Sequence, residues 1–209
     1  MQIKFSNKII SIDYLADIYN LKKFQNKRIG ILGGSFNPVH YGHIYIANKS
    51  IQTLKLDILF LLVSPCNPLK NKNDIANMQE RIENIKIMMK NYPKIKILPI
   101  ENSFQYNYSY FTLCFISKIL NTKNKIFFIL GGDNLIAFNR FKHFKKIIEI
   151  AQVVFIHRNN ILNETNNYFT LWLKNNMIKV KEKIIFLWIP IKKISSTMIR
   201  ENKNNDTKT

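Results

Sequence analysis

Apolar positions along the chain fall into two alternating kinds of stretch. Short, nearly continuous apolar runs are followed by longer segments in which apolar residues recur every three or four positions. The continuous runs are Lys27–Leu32, Asp57–Ser64, Ile95–Ile100, Lys125–Leu130, Gln152–His157 and Lys183–Pro190. Asp57–Ser64, reading D-I-L-F-L-L-V-S, is the composition expected of a parallel strand buried on both faces. Between the runs lie helical patterns at Tyr41–Leu54, Met78–Tyr92, Tyr108–Leu120 and Phe138–Ile150, with a more polar, weakly periodic one at Leu162–Met177. Tyr41–Leu54 places Ile44, Ala47 and Ile51 on one face. Pro65 and Pro68 stop regular structure after the second run. Ahead of the first run, Ile12, Leu15, Ile18, Tyr19 and Leu21 have the spacing of a short amphipathic helix.

Strands alternating with helices at this spacing predict an α/β fold with a doubly wound, mostly parallel sheet. The expected layout is an N-terminal helical extension over 1–26, a single domain over 27–200 and a flexible polar tail over 201–209. Ligands of such sheets sit beyond the carboxyl ends of the strands, where the strand order reverses.

Composition narrows the class. The chain has 209 residues, enough for one well-cored domain, and its 46% hydrophobic and 12% aromatic content is that of a folded chain. Two cysteines, Cys66 and Cys114, provide no disulfide framework and no zinc pattern, which fits a reducing compartment. No apolar run approaches the ~18–20 residues of a membrane span. Asp13 and Asp17 interrupt the single stretch that could act as a secretory core. A soluble cytoplasmic protein without a membrane partner is expected. The net charge of +19 suits a phosphate-rich ligand. A basic nucleic-acid-binding module is the alternative of another class. It would show a basic stripe with interleaved aromatics, whereas here the lysines are dispersed and no specific nucleic acid is expected.

The chemistry concentrates after the first run, in Gly33-Gly34-Ser35-Phe36-Asn37-Pro38-Val39-His40-Tyr41-Gly42-His43. A strand that ends in paired glycines and feeds a helix brings backbone N–H groups and a positive helix end toward an anion, most naturally a phosphate. The spacing is neither G-x-G-x-x-G nor a Walker A loop, and no nearby cysteine or carboxylate completes a metal site with His40 and His43. Taken alone, the glycines would make only a tight turn, with the histidines on the first turn of a surface helix.

The stretch resembles the signature of the nucleotidyltransferase superfamily that adenylylates or cytidylylates phosphate monoesters. A second signature of that superfamily is matched by Ile194-Ser195-Ser196-Thr197-Met198-Ile199-Arg200. Pro65-Cys66-Asn67-Pro68-Leu69-Lys70 and Gly131-Gly132-Asp133-Asn134-Leu135 are similar to internal motifs of the bacterial nicotinate-nucleotide adenylyltransferases. The four motifs stand in the family's order and span 29–200.

The resemblance implies a Rossmann-like nucleotidyltransferase fold and transfer of AMP from ATP to nicotinate mononucleotide, with Mg²⁺ accompanying the ATP. A nicotinamide-mononucleotide or pantetheine-phosphate enzyme of the same superfamily is the alternative. It further implies catalytic roles for His40, His43 and Arg200. ATP would be bound by Gly33, Gly34, Ser35, Phe36, Gly42, Ser195, Ser196 and Thr197. The mononucleotide would lie against Asn67, Lys70, Tyr108, Ser109, Asp133 and Phe141. Arg200 follows Ser196 by four residues and Thr197 by three, so a helix would present all three on one face; an ordinary capped helix with a solvent-facing arginine is the plain alternative. Asp133 is expected at ribose hydroxyls or in the Mg²⁺ shell, against a plain role in an Asx-turn. Lys70 has the alternative of a solvated surface lysine. Phe141 and Phe144 stand where the family usually has tryptophan. Phe141 can stack on a pyridine ring over a smaller area, or both rings can be core aromatics.

Overall fold

A computed structural model describes residues 2–5, 8–11, 17, 20–64, 77–99, 108–120, 123–157 and 168–190. Within them, a hairpin of β1 (Gln2–Phe5) and β2 (Lys8–Ser11) precedes a sheet made of β3 (Arg28–Gly34), β4 (Ile58–Val63), β5 (Ile95–Leu98), β6 (Lys125–Gly131), β7 (Gln152–His157) and β8 (Ile184–Trp188). The helices are α1 (Tyr41–Thr53), α2 (Met78–Met89), α3 (Ser109–Ile119), α4 (Asn134–Ala137), α5 (Phe144–Ile150) and α6 (Tyr168–Val180).

The order across the sheet is β5-β4-β3-β6-β7-β8, and every neighbouring pair is parallel. The chain winds outward from β3 through β5, then crosses back to β6 and winds the other way, so the order reverses between β3 and β6. Their shared ladder ends at Leu32↔Ile129, whereas β3 stays paired with β4 as far as Gly34↔Val63. Parting of β3 from β6 at their carboxyl ends opens the crevice that a doubly wound sheet offers a ligand.

Alternation along the strands divides the core between the two faces. Phe128, Leu130, Val153 and Phe155 pack with Leu113, Ile116, Phe138, Ile147 and Phe169 on one side. Phe127, Ile129, Val154 and Ile156 pack with Ile44, Ala47, Ile85 and Met89 on the other. All six residues of β4 are buried, as its unbroken apolar run predicts.

Three features differ from the expectations. Within the 1–26 extension, the antiparallel hairpin was not legible in the spacing; Ile12, Leu15, Ile18 and Tyr19 lie outside the described residues, and Leu21 opens a short 3-10 turn ending at Phe24. The single helix expected over Phe138–Ile150 is instead α4, a 3-10 turn at Phe138–Arg140 and α5. Phe141 takes an extended conformation and His143 a positive φ of 58°, which breaks the helix between them. Packing explains the break. Phe138 is fully buried, edge-on to Phe155 and Phe169, while Phe144 turns to meet Phe169 and Trp172. Aromatic burial of this size outweighs a few residues of helix propensity. Finally, of the helix expected over Leu162–Met177, residues 162–167 lie outside the described residues, and α6 runs on to Val180.

Candidate active site

The loop from β3 to α1 is shaped by one buried ring. Phe36 has a φ of 46°, a conformation that side chains other than glycine rarely adopt, and it is followed by a cis Asn37–Pro38 bond. The positive φ folds its ring back beneath the loop, where it is 1% exposed. A Cβ on Gly34 would lie 3.0 Å from that ring, so the second glycine is needed for close approach rather than for its own backbone angles. On its other side the Phe36 ring meets His43 edge-on, with centroids 5.0 Å apart.

His40 is the N-cap of α1, in extended conformation. Its Nδ1 accepts a hydrogen bond from the Gly42 N–H at 3.1 Å, and its own N–H donates to His43 Nδ1 at 3.2 Å. This is a capping box built from two imidazoles in place of the usual hydroxyl and carboxylate. A nitrogen that accepts cannot carry the proton, so both rings are fixed as the tautomer with hydrogen on Nε2. The rings lie side by side, with centroids 3.8 Å apart and a tilt of 34°. Helix amides of the first turn are already committed: Gly42 N to His40 Nδ1 and His43 N to the His40 carbonyl at 2.9 Å. The two imidazoles stand at the positive end of a 13-residue helix, a place that favours an anion.

Gly33 rests on Phe128, which is within 3.6 Å of where its Cβ would stand, and Phe128 faces Phe141 at 6.4 Å between centroids. Phe141 and Phe144 are both half-buried against the core; Phe141 packs on Phe138, and Phe144 on Phe138, Phe169 and Trp172. Tyr108, exposed at the start of α3, has Lys142 Nζ 4.8 Å from its ring centroid, which joins Tyr108 and Ser109 to the turn that carries Phe141. Asp133 follows β6 and its carboxylate folds over Gly131, where a Cβ would clash with Oδ1. It is exposed and makes no cap hydrogen bond. Asn134 Nδ2 instead closes the turn onto the Gly131 carbonyl at 3.2 Å, so the Asx-turn role falls away from Asp133.

The crevice thus collects Gly33, Gly34, Ser35, Phe36, His40, Gly42 and His43 at the end of β3, with Asp133 at the end of the neighbouring β6. Asn67, Lys70, Ser195, Ser196, Thr197 and Arg200 lie outside the described residues. Two residues at this end of the sheet were not singled out by sequence. Lys142 reads from sequence as one of many dispersed lysines. Arg81, on α2, is buried and its Nη1 donates to the carbonyls of Ser35 at 2.6 Å and Ser64 at 2.8 Å. An arginine inside a polar helix pattern carries no local sign of such a role.

Residues 31–202 match the model of the cytidylyltransferase-like family, and the chain belongs to that family; it is a nucleotidyltransferase. Within this class it is similar to the "probable nicotinate-nucleotide adenylyltransferase" of Flavobacterium psychrophilum, at 32% identity over 179 residues, covering 85% of this chain and 87% of that protein. A protein of the same name from Agrobacterium fabrum is 35% identical over 130 residues, covering 62% and 68%. The fold is that of the Plasmodium falciparum nicotinic acid mononucleotide adenylyltransferase complexed with NaAD. That likeness has a TM-score of 0.65 at 20% identity, covering 84% of this chain and 83% of that one.

Proposed function

We propose that this nucleotidyltransferase moves an adenylyl group from ATP to nicotinate mononucleotide, forming nicotinate adenine dinucleotide and pyrophosphate. The 5′-phosphate oxygen of the mononucleotide attacks the α-phosphorus in line; the bond to the β-phosphate oxygen breaks and pyrophosphate departs with that electron pair. A phosphate dianion is already nucleophilic at neutral pH, so the reaction needs no general base. Its cost lies in bringing two anions together and in charge that spreads over the phosphates, which positioning and fixed donors offset.

The observation that carries this reading is the reciprocal imidazole cap, which fixes two histidine rings side by side at the positive end of α1. His40 and His43 donate to the triphosphate near the reacting centre. Backbone amides of Gly33, Ser35 and Phe36 complete the cradle, and Gly34 and Gly42 keep it shallow. From the resemblance, Ser195, Ser196, Thr197 and Arg200 take the β- and γ-phosphates. Asn67, Lys70, Tyr108 and Ser109 face the mononucleotide, with Phe141 against the pyridine and Asp133 at a ribose. Among the described residues no three His, Cys, Asp or Glu side chains gather as a metal cage. That donor set fits Mg²⁺ carried on the triphosphate with most of its waters, as this ion prefers, with Asp133 as the described carboxylate able to join its shell. When bound, the ion supplies charge neutralisation on the phosphates.

Pyrophosphate release from Mg·ATP is the test, comparing nicotinate mononucleotide, nicotinamide mononucleotide and phosphopantetheine as acceptors. Nicotinate mononucleotide is expected to have the highest kcat/KM. A preference for phosphopantetheine, or no release with any acceptor, would overturn the assignment.

A further inference from the structure

We infer that Arg81 is a positioning residue for adenylyl transfer, one that holds the nucleotide loop and the base of the mononucleotide loop at a fixed separation. This deepens the reading above and rests on it. Arg81 is 2% exposed, although it lies on a helix whose other charged residues face solvent, so its guanidinium is inside the protein for a reason other than solubility. Two hydrogen bonds leave its Nη1. One goes to the Ser35 carbonyl at 2.6 Å, in the loop that forms the phosphate cradle. The other goes to the Ser64 carbonyl at 2.8 Å, at the end of β4 where the chain departs toward Asn67 and Lys70.

The same residue also marks the far end of that departure. Its backbone N–H donates to the Asn77 carbonyl at 3.1 Å, and Asn77 caps α2 by accepting from Gln79 N at 3.0 Å. The backbone bond to Asn77 is the ordinary first i→i−4 bond of α2; the guanidinium makes the tie, joining the Ser35 loop to the end of β4. Ser64 N–H in turn donates to the Gly34 carbonyl at 3.0 Å, which extends the β3–β4 pairing to the same spot. A charged donor shared by two carbonyls holds them more firmly than neutral pairs would. The Ser35 carbonyl belongs to the peptide that leads into Phe36, the residue whose positive φ seats the ring under His43. Releasing it lets the Ser35 loop shift against the end of β4, and a misplacement of about 1 Å between reacting groups costs on the order of 10²-fold in rate.

Three proteins test this: wild type, Arg81→Lys, which keeps the cation on a shorter side chain that falls short of the Nη1 position, and Ile85→Ala. Ile85 is equally buried one turn along α2 and away from the loop carbonyls, so its truncation loosens the helix generally. For each, Tm, kcat, the two KM values and the separate dissociation constants for a non-hydrolysable ATP analogue and for nicotinate mononucleotide are measured well below Tm. Arg81→Lys is expected to lose about 10²-fold in kcat with each separate dissociation constant changed less than threefold, while Ile85→Ala loses Tm but keeps kcat. Equal kcat losses in both variants, or a loss in Arg81→Lys that appears in affinity and not in kcat, would overturn the positioning role. Should Arg81→Lys not fold, Arg81→Gln is read by the same criteria. Failure of both to fold beside a folded Ile85→Ala would make Arg81 a prop of the fold and sink the inference. A wild-type chain that releases no pyrophosphate overturns the functional reading itself; an active wild type with unaffected Arg81 variants overturns this inference alone.

Discussion

At the scale of single residues, the proposed function gives the two histidines separate tasks at their two ring nitrogens. Nδ1 of His40 and of His43 each close a backbone hydrogen bond at the start of α1, while in the proposed function Nε2–H is the group that donates to the triphosphate. The roles can be separated by choice of substituent. Asparagine is a good N-cap, so His40→Asn keeps an acceptor for the helix amide and loses the imidazole donor. It is expected to hold Tm near the wild-type value while kcat falls about 10²–10³-fold, the loss seen when a preorganised donor is removed. His43→Ala should lose as much in kcat and also about 0.5–2 kcal/mol of stability, because its side takes part in the cap. Thermal melts beside steady-state kinetics check both, and full activity in His40→Asn would remove that imidazole from the mechanism. Phe36 shows a second residue-scale economy. Its backbone conformation is costly, and such strain persists only where the surroundings over-determine it, here through Gly34, His43 and the anchored Ser35 carbonyl.

At the scale of elements, the ends of α1 hold the site's helix in place. The N-terminal end is the imidazole cap; the C-terminal end is a Schellman motif. Leu56 N–H reaches the Ile51 carbonyl at 2.9 Å and Lys55 N–H the Gln52 carbonyl at 3.3 Å, with Leu56 and Ile51 both buried beside the motif. Lys55 occupies the left-handed position with a φ of 51°, although a side chain there is unfavourable. Lys55→Gly is therefore expected to raise stability by about 1 kcal/mol, a Tm gain of roughly 2–4 °C for a domain of this size, with activity unchanged. Differential scanning calorimetry decides it, and a lower Tm would mean that the unfolded-state entropy of the added glycine outweighs the relieved strain. The broken element between α4 and α5 shows the opposite balance. A helical pattern is legible over Phe138–Ile150, yet the rings of Phe138, Phe141 and Phe144 find different partners, and the backbone turns at His143 to satisfy them.

Across the whole molecule, the sheet carries a buried group that links stability to pH. His157, the last residue of β7, is buried beside Phe186, and neither of its ring nitrogens has a hydrogen-bond partner among the described residues. Burial holds its pKa below the ordinary histidine value, so it is neutral in the fold. The unfolded chain takes up a proton below about pH 6.5 that the folded chain refuses. Acid therefore favours unfolding from about pH 6.5 downward, until the folded pKa is reached, and the contribution is fully present above that range. Tm measured between pH 5 and pH 7 is expected to fall with acidity in the wild type and to fall less in His157→Phe; parallel curves would show that other groups set the slope. Much of the architecture was legible along the chain, because runs such as Asp57–Ser64 and the spacing of Ile44, Ala47 and Ile51 record locally which faces are buried. The strand-to-helix turn that carries the candidate site was legible too, since Gly33-Gly34 and His40-Tyr41-Gly42-His43 are contiguous and mark where β3 ends and α1 begins. Tertiary structure alone decided the rest. Arg81 lies 46 residues from Ser35, and nothing local distinguishes it from a solvated arginine. Tyr108 and Lys142 meet only because α3 packs beside α5. The sequence by itself determined which segments are strands, where the donors cluster and to which family they belong, since those depend on neighbours a few positions apart. Which distant groups anchor those donors, and which ring breaks a helix, depends on contacts that exist only once the sheet has closed its two faces.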